Sequence, residues 1–119
     1  MRRRLALGAA GLVLLSGDAT AAPEAAPSSP PTRTFSNVTA ATFACVLERS
    51  RKRHGTVYTQ DPANPNRLTS ETHYFGLTRI VSDFDPQART VTYRILQKPG
   101  LASYDQVWNG IRDEIAACS

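Results

Sequence analysis

A chain of 119 residues has room for one small domain. It carries 14 basic and 10 acidic residues, a formal net charge of +4. Removing residues 1–21, which read as an export leader, takes away Arg2, Arg3, Arg4 and Asp18 and leaves +2, too little to argue for nucleic acid as a partner.

The leader has three parts in the expected order. Arg2–Arg4 form a positive start, Leu5–Leu15 an apolar run, and Ala19-Thr20-Ala21 a small-residue cleavage site. Cleavage is expected after Ala21, since cutting one residue later would place Pro23 directly behind the scissile bond. The apolar run is well short of the roughly 20 residues that span a bilayer, so no transmembrane anchor is expected. Residues 22–34 hold four prolines and no large apolar side chain, and read as an extended or disordered tether. The folded domain is expected over 35–119.

Ser36 to His54 reads as a helix capped by Ser36 or Asn37 and closed by Gly55. Phe43, Val46, Leu47 and Ser50 share one face; Val38, Ala41 and Cys45 share another. Thr56–Gln60 is a short candidate strand, and Asp61–Arg67, with two prolines and two asparagines, reads as a loop. His73–Phe84 reads as one long strand. Asp85-Pro86-Gln87-Ala88 is a turn, and Thr90–Gln97 is a strand with Val91, Tyr93 and Ile95 on one face. Ser103 with Gln106 forms a capping box for a last helix. Its apolar stripe is Tyr104, Trp108, Ile111, Ile115 and Cys118. Gly110 within it suggests a close approach to the first helix.

The expected fold is therefore α+β in two layers: an N-terminal helix, a two- to three-stranded antiparallel meander and a C-terminal helix, both helices on one sheet face. In an oxidising compartment, Cys45 and Cys118 are expected to pair and join the two helices.

No stretch carries a catalytic, metal or cofactor motif. The basic run Arg49, Arg51, Lys52 and Arg53 either complements the helix dipole or meets an anionic partner. Asp61, Asn64 and Arg67 belong to a loop that could form a rigid contact, but the loop lacks the glycine and terminal glutamate of a calcium-binding loop. His54 and His73 lack further metal ligands at suitable spacing, and Asp113 with Glu114 reads as an exposed pair. The open sheet face is expected to show Leu96 and one apolar set of the long strand, a patch suited to a partner.

These features suggest an exported, periplasmic or extracellular, non-catalytic domain binding another envelope or secreted protein, as an inhibitor, an immunity-type protein or an accessory component. Two alternatives are a small secreted hydrolase or thiol enzyme, and an effector binding anionic surfaces through the basic helix end.

Overall fold

The computed structural model describes residues 31–73 and 76–119. The expected leader and most of the expected tether, residues 1–30, lie outside the described residues, as do Tyr74 and Phe75. The elements in chain order are β1 (Thr32–Ser36), α1 (Ala40–His54), β2 (Val57–Asp61), β3 (Asn64–His73), β4 (Leu77–Asp85), β5 (Thr90–Gln97) and α2 (Tyr104–Ala117). The fold is α+β, with a five-stranded sheet in the order β1-β5-β4-β3-β2. Every neighbouring pair is antiparallel. The chain starts at one edge, carries α1 across to the other, returns by a four-stranded meander, and lays α2 down last.

The sheet is larger than the two or three strands expected. β1 was read as tether and helix start, yet Thr32–Ser36 pairs with Arg94–Thr90 of β5. Ser36 therefore ends a strand and caps no helix. Asn37 turns the chain at φ 61°, and Thr39 caps α1 by accepting from the Thr42 N–H at 3.1 Å. Gly55 closes α1 at φ 66°, as its position suggests.

The expected Asp61–Arg67 loop shrinks to Pro62 and Ala63. Asp61 accepts from the Ala63 N–H at 2.8 Å, and Asn64 pairs back to Asp61. Pro65, Asn66 and Arg67 sit in a register shift between the Asp61–Asn64 and Gln60–Leu68 pairs, so the N–H that Pro65 lacks is not missed by β2. The strand expected over His73–Phe84 is present as β4 but starts later, at Leu77. β3 ends at His73 and β4 begins at Leu77, with Gly76 at φ 117°, a conformation open to glycine and to few other residues.

The β4–β5 hairpin forms where the alternation and the turn place it. Asp85 Oδ1 accepts from the Gln87 and Ala88 N–H groups, both at 3.0 Å. α2 carries the full capping box: Gln106 N–H donates to Ser103 Oγ at 3.1 Å, and Ser103 N–H to Gln106 Oε1 at 2.8 Å.

The core joins both helices to one face of β5. Val38, Phe43 and Val46 meet Val91, Tyr93, Ile95, Trp108 and Ile115. Phe43 stacks on Phe84 at 4.9 Å between centroids, and Phe35 of β1 meets the Tyr93 ring edge-on at 5.8 Å. Cys45 and Cys118 are bonded, with Cα atoms 5.8 Å apart. Arg49 of α1 meets Glu114 of α2. The pairs 45/118 and 49/114 run in opposite senses, so the two helices are antiparallel.

Candidate functional site

The solid core occupies only part of the helix-facing side of the sheet. Toward β2 the floor changes character. Pairing sets Ser82 beside Tyr93, Ser70 beside Ile80, Thr72 beside Thr78 and Tyr58 beside Ser70. A packed α/β interface needs large apolar side chains at such positions to fill the space under the helices. Serine and threonine leave it unfilled. The helices continue the pattern, with Ser50 on α1 and Gly110 on α2 facing the same space.

The result is a cleft of about 420 Å³ between α1, α2 and the β2–β3–β4 half of the sheet. That volume lies within the range of small-molecule sites. Val46, Leu47, Val107, Ile111 and Ile80 supply apolar walls. Arg53, His54, Gln106, Asp113 and Glu114 complete the lining. A Cβ built on Gly110 meets nothing within 4 Å. The close helix approach anticipated for this glycine does not occur; the helices part here, and the missing side chain widens the cleft.

The floor hydroxyls have defined orientations. Tyr58 donates to the Leu47 carbonyl at 3.1 Å, Ser70 to the Ile80 carbonyl at 3.2 Å, and Ser82 to the Leu68 carbonyl at 3.5 Å. Thr56 and Thr72 hydroxyls share a bond of 2.7 Å. Tyr93 differs. It is 7 % exposed, it lines the cleft, and its hydroxyl has no hydrogen-bond partner among the described residues. Burial, with the neighbouring Tyr58 adding to it, holds the Tyr93 phenol far above its ordinary range. Burial also raises Tyr58, opposed by a Ser50 hydrogen bond and assisted by the Glu114 charge.

Glu114 closes one side of this space. Its side chain is 14 % exposed, and it accepts from Arg49 Nε at 2.6 Å and from Arg53 at 2.9 Å. The reading of Asp113 and Glu114 as an exposed pair thus holds for Asp113 alone. The two residues that matter to Glu114 lie 65 and 61 positions away, which no local pattern reveals.

The residues singled out in the sequence fall in separate places. The basic run divides. Arg49 and Arg53 turn toward α2, while Arg51 and Lys52 pair with Glu48 on the outer face of α1 at 2.5 and 3.6 Å. Asp61, Asn64 and Arg67 lie at the β2–β3 turn, where Arg67 bridges Asp83 at 2.6 Å and Asp61 at 3.9 Å. Leu96, 43 % exposed, sits at the irregularity near the far end of β5. The three groups lie on different elements: α1, the β2–β3 turn and the end of β5.

On the open face one of the long strand's two apolar sets is turned outward, as expected, with its Phe75 outside the described residues. Ile80 and Phe84 join the core, which puts Leu77 and Val81 on the other side. Val81 is only 6 % exposed, with Thr69 and Arg94 as its cross-strand neighbours. Around it run an Arg79–Glu71 pair at 2.9 Å, the Arg67–Asp83 pair, and a Thr34–Thr92 hydroxyl contact at 2.8 Å. Among the described residues this face is mixed: these polar pairs surround Val81 and Leu77, and Val57 at the β2 edge, opposite Glu71, is 64 % exposed.

His73 ends β3 and is exposed, while His54 reaches the cleft from the end of α1. Both cysteines of the chain are in the disulfide, so neither is a free thiol nucleophile. Among the described residues, no three His, Cys, Asp or Glu side chains gather into a group able to hold a metal ion, and no helix is long and apolar enough to cross a membrane. No protein-family model matches the chain, and comparison with the curated proteins and with the solved structures finds no similar protein.

Proposed function

We propose that this protein is an exported, non-catalytic binding domain, and that its binding element is the cleft between the two helices and the β2–β3–β4 half of the sheet. The observation that carries this reading is the coordinated use of small side chains. Ser50, Ser70, Ser82 and Gly110 come from four elements and leave one shared space. A domain of this size gains stability chiefly from burying apolar area, and filling that space would add to it. Keeping it open has a cost in stability, of the kind functional sites show.

A protein partner, the reading that the sequence first suggests, rested on an apolar open face. Polar pairs break up the apolar surface of that face, and the cleft is the element we favour. The leader in the sequence and the disulfide between the helices support export.

The test is native mass spectrometry of the protein recovered from its own exported fraction. A bound non-peptide mass in the natural protein, absent from a Gly110→Leu variant, is the expected result. Identical bare masses for both, together with an unaltered stability of the natural protein across a small-molecule library, would overturn it.

A further inference from the structure

We infer that the cleft takes an uncharged ligand with an apolar, ring-sized body and an N–H or O–H group that reaches Tyr93. This rests on the cleft being the binding element, and adds the chemical class of what it holds.

The floor decides the charge. Ser70, Ser82 and Tyr58 direct their O–H groups at backbone carbonyls, so what they turn to the cleft is lone pairs. Such a floor accepts hydrogen bonds and repels anions. The cationic groups nearby, Arg49 and Arg53, are already held by Glu114. No charged side chain stands on the floor, and on the wall the carboxylates are paired, Glu114 with the two arginines and Asp113 with Arg112 at 3.4 Å. A charged ligand head would lie over a floor without a counter-charge, which is strongly disfavoured.

Tyr93 decides where the polar group sits. Its hydroxyl can both donate and accept, it is nine-tenths buried, and among the described residues nothing satisfies it. A buried hydroxyl without a partner is unfavourable, and a ligand group that supplies the partner removes that penalty. Val46, Leu47, Val107 and Ile111 give the helix side of the cleft an aliphatic stretch, which suits a hydrocarbon or aromatic body.

Two fluorescent probes separate charge from shape. N-phenyl-naphthylamine is neutral and carries one N–H. Anilinonaphthalene sulfonate has nearly the same skeleton with an anionic group added. Both are titrated into the purified protein and into its Tyr93→Phe and Gly110→Leu variants, with circular dichroism confirming that each variant is folded. The neutral amine is expected to bind at least about tenfold more tightly than the sulfonate. Tyr93→Phe is expected to weaken the amine about tenfold, the worth of one hydrogen bond in a dry site. Gly110→Leu is expected to abolish binding of both. If Gly110→Leu blocks both probes but the sulfonate binds as well as the amine, or Tyr93→Phe changes nothing, the ligand class is wrong and the cleft still binds. If neither probe binds, or Gly110→Leu has no effect on either, the cleft reading and the ligand class fall together.

Discussion

Ser82 on β4 stands directly beside Tyr93 on β5, a small hydroxyl residue next to a buried ring on the helix-facing side of the sheet. Farther along β4 and β5 the matching pair is Phe84 and Val91, and there the space under α1 is full. The difference between these two pairs marks the boundary between the core and the cleft. Ser82→Val should extend the core by one branched side chain. It is expected to stabilise the protein by about 1 kcal/mol, since its methyl groups are buried and only one long hydrogen bond is lost. Probe binding should fall at the same time. Urea unfolding and a probe titration on the same variant check both halves.

The disulfide should contribute much of the stability. It links residues 73 positions apart, and in the chain-entropy model a loop of that length is worth about 4 kcal/mol. Paired Cys45→Ser and Cys118→Ser substitutions should lower the urea midpoint by a corresponding amount. Treating the natural protein with reductant should reproduce the shift. Since both helices wall the cleft, probe affinity should drop in the reduced protein under conditions where it stays folded.

Two acidic residues on the helices should behave differently. Glu114 is largely buried and holds two arginines from α1, whereas Glu48 is exposed and pairs within its own helix. Glu114→Gln should cost about 1 kcal/mol or more, because it leaves Arg49 and Arg53 competing for a neutral group. Glu48→Gln should leave stability nearly unchanged, because water and salt screen an exposed pair. Unfolding curves in low and high salt test the contrast.

Alkaline pH should unfold the protein through its buried phenols. Tyr93 and, less strongly, Tyr58 have folded pKa values raised by burial. The unfolded chain then ionises first, so their stability contribution is complete below a pH of about 10 and is lost as pH rises toward the folded values. Stability measured across that range should fall more steeply for the natural protein than for Tyr93→Phe.

Gly110 and Gly55 offer a paired test of backbone and space. Gly110 lies in a helix and a new Cβ meets nothing, so Gly110→Ala should stabilise by up to about 1 kcal/mol. Gly55 closes α1 at φ 66°, so Gly55→Ala should destabilise by about 1 kcal/mol despite equally open surroundings. Thermal melts of the two variants should therefore move in opposite directions.

These contrasts also explain what could be read from the chain. β5, the turn at Asp85, the capping box at Ser103 and the pairing of Cys45 with Cys118 all carry local signals: alternation, a proline, a serine three residues before a glutamine, an even cysteine count. β1 and β3 do not. Thr32–Ser36 is an edge strand with one aromatic residue, and Thr69–Thr72 is polar on both faces because one lines the cleft and the other meets solvent, which leaves Leu68 as the lone core-packed residue of that stretch. The apolar alternation by which strands are recognised is missing wherever the sheet floors the cleft. The available signal was different: Ser70 and Thr72 alternate with Glu71, and Thr78, Ile80 and Ser82 with Arg79 and Asp83. Small hydroxyl residues at most of the alternate positions of two strands mark a face that is covered but not filled. Glu114 and its arginines left no such trace, since their contact depends on the crossing of helices at opposite ends of the chain.

The most direct measurement is a nitrogen–proton correlation NMR titration of the labelled protein with N-phenyl-naphthylamine. Saturable shifts clustered at Tyr58, Ser70, Ser82, Gly110 and Ile111, with the open-face residues Arg67, Thr69 and Arg94 unmoved, are the result the cleft requires. Shifts confined to the open face or to the outer side of α1, or no saturable shifts at all, would contradict it.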